Sequence, residues 1–262
     1  MNKRGSVMSA KYQSFAALHV PGDPVILFNI WDAGSARAAE RAGARAIATG
    51  SASVSTAHGY DDAEALPLDL ALANARRTVA AVALPVSVDF EGGYAVDPDA
   101  VAANVEKLAA TGAIGCNFED QIVASHGTAA RALHGIEEQA ARIAAIRWTV
   151  GPDFFLNART DIFLIAPGDT HDAAMADAAI ARGKAYADAG ASGFFVPGLA
   201  DLALLERVAK AVPLPVNFMA FPGAPDARAV AETGIARISH GPFPHLAALK
   251  AFEDAARAAF SA

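Results

Sequence analysis

The sequence has one cysteine, no long apolar run and no cluster of basic residues. The single Cys116 excludes an internal disulfide and a cysteine-based zinc site, and it agrees with a reducing compartment. No apolar run approaches the roughly 20 residues needed to span a bilayer, and no apolar core follows the basic residues of the N-terminus, as a secretory signal would need. The net charge of -7 argues against a nucleic-acid partner. We therefore expect a cytoplasmic protein that binds neither membranes nor nucleic acids.

One pattern repeats through the 262 residues: a short apolar strand, a polar or glycine-bearing turn, and an alanine-rich helix. Such alternation is typical of a parallel sheet covered by helices, and eight units in this length favour one α/β domain over residues 1–262, a modified (β/α)8 TIM barrel. Strands are predicted at Val25–Ile30, Arg45–Thr49, Val86–Phe90, Ile114–Phe118, Phe154–Ala158, Gly193–Val196, Val216–Met219 and Ala236–Ser239. Helices are predicted at about 34–42, 69–83, 97–111, 136–147, 171–189, 201–211, 226–232 and 243–260, with Asp97-Pro98 and Asp226 as start signals.

Three further segments complete the predicted barrel. An extra N-terminal helix over Lys11–Val20 is placed across the bottom of the barrel. The two longest connections, 50–68 and 119–135, are where lids and ligand loops would lie. The apolar face of the last helix, over 246–260, must be covered either by its own barrel or by a partner subunit, as in a swapped C-terminal helix.

Active sites in this fold gather at the C-terminal ends of the strands, and polar residues concentrate there. If residues 86–90 form a strand, Asp89 and Glu91 project to the same side. Two like charges roughly 4 Å apart repel by about 4 kcal/mol at an effective dielectric of 20, so the pair needs a cation, a shared proton or water. A hard divalent ion such as Mg²⁺ suits an all-oxygen site.

Six motifs resemble the isocitrate lyase and phosphoenolpyruvate mutase superfamily over essentially the whole chain. They are Trp31-Asp32-Ala33-Gly34-Ser35-Ala36, Thr49-Gly50-Ser51, Gly59-Tyr60-Asp61-Asp62, Asp89-Phe90-Glu91-Gly92-Gly93-Tyr94, Asn117-Phe118-Glu119-Asp120 and Asn157-Ala158-Arg159-Thr160-Asp161. The resemblance implies a site for Mg²⁺, or alternatively Mn²⁺, built from Asp62, Asp89, Glu91 and Glu119. It also implies that Arg159 stabilises an enolate oxygen and that Thr49, Gly50 and Ser51 donate to a substrate carboxylate. Trp31, Asp32, Asn217 and His240 complete the predicted substrate-binding set.

The loop after the fourth predicted strand departs from the lyases of this superfamily. Those lyases carry a Lys-Lys/Arg-Cys-Gly-His loop with a catalytic cysteine, and a glutamate after strand six where this chain has Pro197. Here the loop reads Gln121-Ile122-Val123-Ala124-Ser125-His126-Gly127, and it also lacks the Lys-Thr-Asn type stretch of the phosphonate-processing members. Tricarboxylate cleavage is therefore disfavoured. Ser125 and His126 join Glu119 and Arg159 as candidate catalytic residues, although His126 is equally well interpreted as a solvated loop residue.

From these features we expect a Mg²⁺-dependent enzyme acting on a small 2-oxo or dicarboxylic acid through an enolate, most directly by carbon–carbon bond cleavage as in oxaloacetate decarboxylation. A phosphonomutase or phosphonopyruvate hydrolase is the enzymatic alternative. The second alternative is a barrel that binds 2-oxo acids with little catalysis. We also expect a homo-oligomer, a tetramer built as a dimer of dimers. The histidines at positions 19, 134, 171 and 245 are interpreted as surface or helix-end residues.

Overall fold

Eight parallel strands form a ring in the computed structural model, which describes residues 3–123 and 131–261, with side chains from Ala10 onward. The hydrogen-bonded order is β1-β8-β7-β6-β5-β4-β3-β2. An isolated parallel bridge between Ile30 and Thr49 joins the first strand to the second and completes the ring. The strands are β1 Val25–Leu27, β2 Ile47–Ala48, β3 Val86–Asp89, β4 Gly115–Glu119, β5 Phe155–Arg159, β6 Gly193–Phe195, β7 Val216–Met219 and β8 Arg237–Ser239. The predicted α/β barrel is thereby confirmed.

One helix precedes the first strand, and further helices follow the strands around the outside of the ring. They are α1 Lys3–Ala17, α2 Ala33–Arg41, α3 Ser51–Ala57, α4 Leu68–Ala81, α5 Pro98–Ala109, α6 Ile136–Val150, α7 Ala173–Asp188, α8 Leu202–Ala211, α9 Ala227–Glu232 and α10 Phe243–Phe260, with a short 3-10 helix at Gly168–Thr170. The predicted start signals operate as N-caps. The Asp97 carboxylate accepts from the backbone N of Ala100 at 3.0 Å, and the Asp226 carboxylate accepts from Ala229 N at 2.9 Å.

Among the predicted boundaries that differ from the structure, three concern α3, β1 and α1. The segment 50–68 was predicted as a loop, yet it contains α3, because Gly50 serves as an extended N-cap and the helix buries serine side chains instead of an apolar face. The predicted strand Val25–Ile30 ends at Leu27, where the regular ladder with β8 stops. Helix α1 begins at Lys3, well before the predicted Lys11.

Helix α1 closes the N-terminal end of the barrel, as predicted. Phe15 is fully buried and packs with Val25, Leu27 and Phe155 in a small core cluster inside the ring. Its ring meets that of Phe155 edge-on at 5.1 Å between centroids. The barrel is therefore filled with apolar side chains at one end, which leaves the opposite end for polar groups.

The strands divide their side chains between the helices and the barrel interior. On β4, Cys116 and Phe118 lie in the large core under the helices, while the intervening Asn117 turns inward. Burial raises the pKa of the Cys116 thiol, which agrees with its interpretation as a packing residue. None of the described helices is long and apolar enough to cross a membrane.

Candidate active site

A cavity of about 270 Å³ opens at the C-terminal ends of the strands, where the sequence predicted the active site. Its polar lining comes mainly from the loops and ends of the first five strands and comprises Asn29, Gly50, Ser51, Asp62, Asp89, Asn117 and Arg159. The side facing the later strands is mainly apolar and comprises Leu164, Phe195, Met219, Pro242 and Phe243, with Ser239 as a polar exception. A space of this size suits a small organic acid.

Asp89, the last residue of β3, is held from three directions. Its Oδ2 accepts a hydrogen bond from the backbone N of Ser51 at 3.1 Å, and its Oδ1 accepts from Asn117 Nδ2 at 3.3 Å. Its own backbone N donates to Thr49 Oγ1 at 2.9 Å. Ser51, just after β2, and Asn117, in the middle of β4, thus fix the Asp89 carboxylate, while the Thr49 hydroxyl accepts from the backbone and keeps its O–H as a donor.

Asp62 and Glu91 lie in two separate turns, and Glu64 links these turns through hydrogen bonds. The backbone N of Glu64 donates to Glu91 Oε2 at 2.7 Å, and Glu64 Oε1 accepts from the backbone N of Tyr94 at 2.7 Å. Left-handed backbone, which costs non-glycine residues about 1 kcal/mol or more each, occurs at Ala63 (68°), Glu64 (58°), Glu91 (51°) and Tyr94 (59°). Val86, Val88 and Phe90 lie in the outer core, as strand alternation predicts, but β3 ends at Asp89, so a left-handed turn and not a continued strand brings Glu91 toward Asp89.

Burial and like charge raise the pKa values of these carboxyl groups. Desolvation, followed by the charge of Asp89, raises the pKa of Asp62. Desolvation, followed by the charge of Asp62, raises the pKa of Glu91 to about 8. Burial also raises the pKa of Glu119 well above its ordinary value, although Arg159 opposes that rise. A bound cation or a proton would therefore stabilise this cluster.

Arg159, the last residue of β5, is held by two buried carboxylates. Its Nε and Nη2 donate to Asp161 at 2.5 and 2.8 Å, and its Nη1 lies 2.9 Å from Glu119 Oε2. Desolvation opposes the charge, but Asp161 and Glu119 outweigh it and raise the pKa of Arg159 well above its ordinary value. The guanidinium also lines the cavity with Asp89. It can therefore stabilise an anionic oxygen without losing a proton.

The four predicted metal ligands suit a hard divalent cation in their chemistry, since all of them offer only oxygen. Asp62 and Asp89 line the cavity, and Asp62 Oδ1 is buried without a hydrogen-bond partner among the described residues. Glu91 and Glu119 are buried behind them. In residues 3–123 and 131–261, no three His, Cys, Asp or Glu side chains form a ready cluster around one ion. The donor set therefore fits the ion by its chemistry, with Asp62 and Asp89 as the accessible members.

The other predicted substrate residues take separate places. Gly50 lines the cavity, but its backbone N donates to Ile30 O at 3.2 Å. Asn217 points into the barrel, where its Nδ2 donates to Ser239 Oγ at 3.2 Å. The backbone N of His240 donates to Asn29 Oδ1 at 2.7 Å, a contact that ties the loop after β8 to the loop after β1.

Trp31 and Asp32 line a neighbouring surface cavity of about 600 Å³ and are not in the lining of the central one. The Asp32 carboxylate caps α2 by accepting from the backbone N of Ser35 at 2.7 Å. Their predicted contact with substrate stays a prediction. Ser125 and His126 lie outside the described residues.

Glu64 and Phe195 were not singled out from the sequence, although signals for both existed. Glu64 is a third carboxylate close after Asp62 in a loop predicted to carry ligands. Phe195 lies two residues after Gly193 in β6, so strand alternation places both on the inner face. Gly193 leaves room there, since a Cβ at this position would lie 2.6 Å from Asn157 Oδ1.

Residues 15–260 match the family described as phosphoenolpyruvate phosphomutase. The chain belongs to this family. Membership confirms the resemblance to the wider superfamily, and the matched region includes every described residue of the cavity.

Named relatives in the family and its superfamily differ in their reactions. The chain is similar to a crystal structure of a candidate phosphonomutase from Burkholderia cenocepacia J2315, with 45% identity and a TM-score of 0.91 over 96% of this chain and 99% of that one. It is 31% identical over 208 residues to 2-methylisocitrate lyase of Escherichia coli strain K12, covering 78% of this chain and 68% of the relative. It is 34% identical over 189 residues to oxaloacetate decarboxylase of Bradyrhizobium diazoefficiens, covering 70% of this chain and 62% of the relative.

Proposed function

We propose that this chain is an enzyme that cleaves the C3–C4 bond of a small 2-oxo acid, one carbon away from the C2 carbonyl group, with oxaloacetate decarboxylation as the first candidate. The observation that carries the proposal is the placement of Arg159, which is fixed by two buried carboxylates and lines the same small cavity as Asp89. Similarity to an oxaloacetate decarboxylase supports the same reaction.

In this reaction the C3–C4 bond of oxaloacetate breaks and C4 leaves as CO2. The bonding electrons move to the C2 carbonyl oxygen and give the enolate of pyruvate. Arg159 donates to that oxygen most strongly as the charge develops, which lowers the barrier. A proton must then reach C3 to give pyruvate, and the predicted donors are His126 and Ser125.

A bound Mg²⁺ or Mn²⁺ would polarise the 2-oxo group as a Lewis acid. Asp62 and Asp89 would hold the ion, because both carboxylates line the cavity. Glu91 and Glu119 would add negative charge from their buried positions. Arg159 would act on the substrate as a cation, because its ion pairs with Asp161 and Glu119 keep it protonated.

The apolar side of the cavity favours loss of a carboxylate over retention of a phosphonate. Leu164, Phe195 and Met219 line that side, and among the described lining residues Arg159 is the only cationic side chain. A carboxylate against this wall is poorly solvated and loses its charge when CO2 leaves. A phosphonate dianion would keep its charge there without a matching cation.

Pyruvate release from oxaloacetate tests the proposal. Free Mg²⁺ by itself accelerates the loss of CO2 from oxaloacetate, so the control is the Asp89→Asn protein at the same metal concentration. We expect the wild type to exceed this control by about 100-fold or more, the size of effect typical for preorganised transition-state stabilisation. Equal rates would reject decarboxylation.

Carbon–phosphorus chemistry is the second candidate, because the chain is similar to a candidate phosphonomutase. Phosphonopyruvate should be assayed beside oxaloacetate under the same conditions. Formation of phosphoenolpyruvate or phosphate without turnover of oxaloacetate would put a mutase or hydrolase in first place. A protein that binds oxalate with Mg²⁺ but matches the Asp89→Asn control on both substrates would be a 2-oxo acid-binding barrel.

A further inference from the structure

Arg237, the first residue of β8, places a guanidinium in the interior of the barrel beneath the cavity. Its side chain is only 1% exposed. Its Nε donates to Ser239 Oγ at 3.2 Å and its Nη2 to Asn117 Oδ1 at 3.2 Å. Its Nη1 is buried and has no hydrogen-bond partner among the described residues.

No carboxylate in residues 3–123 and 131–261 forms an ion pair with Arg237, although buried charges are normally paired. Desolvation lowers the pKa of Arg237 to about 10, and the charge of Asp89 opposes that shift. The guanidinium therefore stays charged at neutral pH. Retention of an unpaired buried cation is costly, which indicates a role beyond filling space.

A chain of hydrogen bonds connects Arg237 to the site. Asn117 Oδ1 accepts from both Arg237 Nη2 and Asn157 Nδ2, the latter at 2.9 Å. Because two donors converge on this oxygen, the amide must turn its Nδ2 toward Asp89, whose Oδ1 accepts it at 3.3 Å. Without Arg237 only Asn157 would hold this oxygen, so the amide would rotate more readily and present its oxygen to the carboxylate, which would repel it.

We propose that Arg237 is a positioning residue that acts through Asn117 to hold the Asp89 carboxylate in the orientation that binds a divalent cation. This inference rests on the proposed metal-dependent function. Groups behind a metal ligand typically change metal affinity by 10- to 100-fold, roughly, when removed. The positive charge of Arg237 by itself would repel a nearby cation, so orientation and charge have opposite effects on metal affinity.

Arg237→Met, Arg237→Lys and Asn117→Leu separate these effects. Mn²⁺ affinity is measured by titration calorimetry, and the melting temperature is measured without metal as a check on folding. If Arg237 acts by orientation, all three variants bind Mn²⁺ about tenfold or more weakly, because lysine keeps the charge but cannot form the fork of hydrogen bonds. If only its charge matters, Arg237→Met binds Mn²⁺ as tightly as the wild type or more tightly, and the proposal is overturned.

The double variant Arg237→Met/Asn117→Leu tests whether one residue acts through the other. We expect its loss of Mn²⁺ affinity to be no greater than that of Asn117→Leu alone, since both changes break one chain of contacts and loss of the Arg237 charge can only favour a cation. Additive losses would reject the relay. Should Arg237→Met not fold, unchanged affinity in Asn117→Leu and Arg237→Lys would still overturn the proposal. Absence of Mn²⁺ binding in the wild type would instead reject the metal site of the proposed function, and this inference with it.

Discussion

At the scale of single residues, the candidate site is a set of carboxylates that outnumber the cations around them. Asp62, Asp89 and Glu91 crowd together, while the charge of Arg159 is already shared between Glu119 and Asp161. Such an arrangement is stable only with protons or a cation in place. Its response to metal and to loss of Arg159 is therefore directly measurable.

Asp89→Asn should abolish stabilisation by divalent ions. A ligand that binds only the folded state adds roughly 2.7 kcal/mol to the free energy of unfolding at a hundred times Kd, and the asparagine removes the central anion of the site. Melting curves with and without Mg²⁺ measure the effect, and Asp153→Asn at an exposed position is the matched control. A wild-type protein that shows no divalent-ion response, with or without a 2-oxo acid, would refute the metal assignment.

Arg159→Ala should lower kcat more than it raises KM. The guanidinium matters most where negative charge develops in the transition state, and a uniform binding role would change KM instead. Arg159→Lys keeps the charge without the two-pronged geometry, so it should recover only part of the loss. Steady-state kinetics with oxaloacetate separate the two parameters, provided that circular dichroism shows both variants folded. An effect confined to KM would contradict the assigned role.

At the scale of secondary-structure elements, α1 and the segment after it act as a plug for the barrel. His19 lies just after the helix, stacks on Phe155 with 4.3 Å between ring centroids, and places Nδ1 2.9 Å from Phe15 O. It lies at a helix end, one of the two positions predicted for it, but it is buried and not on the surface, with only 7% of the residue exposed. Desolvation, followed by the charge of Arg237, lowers the pKa of His19 to about 3.

His19→Asn should flatten the acid dependence of stability. In the unfolded chain His19 takes up a proton near its ordinary pKa of 6.5, but in the folded protein only near pH 3. Its contribution is therefore fully present above pH 6.5 and is lost as the pH falls toward 3, up to roughly 4 kcal/mol. Asparagine can place its amide nitrogen near the Nδ1 position without titrating. Denaturant unfolding from pH 7 to pH 4 compares the two proteins, and parallel pH profiles would contradict the assignment.

At the scale of the whole molecule, one side of the barrel is left apolar and uncovered. Ile26 and Phe28, on the outer face at β1, are 45% and 56% exposed. Within α10 only Pro244 and His245 are buried, while Leu249 is 45% exposed and Phe252 is 75% exposed. The helix that should cover β1 in its own barrel does not do so.

We propose that α10 packs on another copy of the chain in a homo-oligomer, with a dimer of dimers as the expected assembly. Light scattering at micromolar concentration should give a mass above that of the monomer. Phe252→Glu should lower that mass, because it puts a charge into the apolar contact. Trp148→Glu, on the exposed face of α6, is the control and should leave the mass unchanged. A monomeric wild type would reject the assembly while leaving the barrel intact.

The local sequence pattern was enough to predict the barrel fold and several residues of the candidate site. Apolar runs separated by turns and alanine-rich helices specify eight βα units. Eight such units in one domain commonly close into a (β/α)8 barrel. The carboxylates at the ends of the third and fourth strands and Arg159 at the end of the fifth follow from that topology. Helix α3 escaped prediction because its sequence, Ser-Ala-Ser-Val-Ser-Thr-Ala, has weak helix propensity, and the barrel end it packs on supplies the stability.

Only the tertiary structure decided which polar groups meet inside the barrel. Glu91 reaches the site through a left-handed turn that no strand periodicity reveals, and Glu64 holds that turn from a loop distant in sequence. In the sequence, Arg237 is one charged residue within an apolar strand. In the fold, it reaches across the barrel from β8 and donates a hydrogen bond to Asn117 on β4. Periodicity specifies the face on which a side chain lies, whereas its partners depend on closure of the ring, which brings residues far apart in the chain within hydrogen-bonding distance.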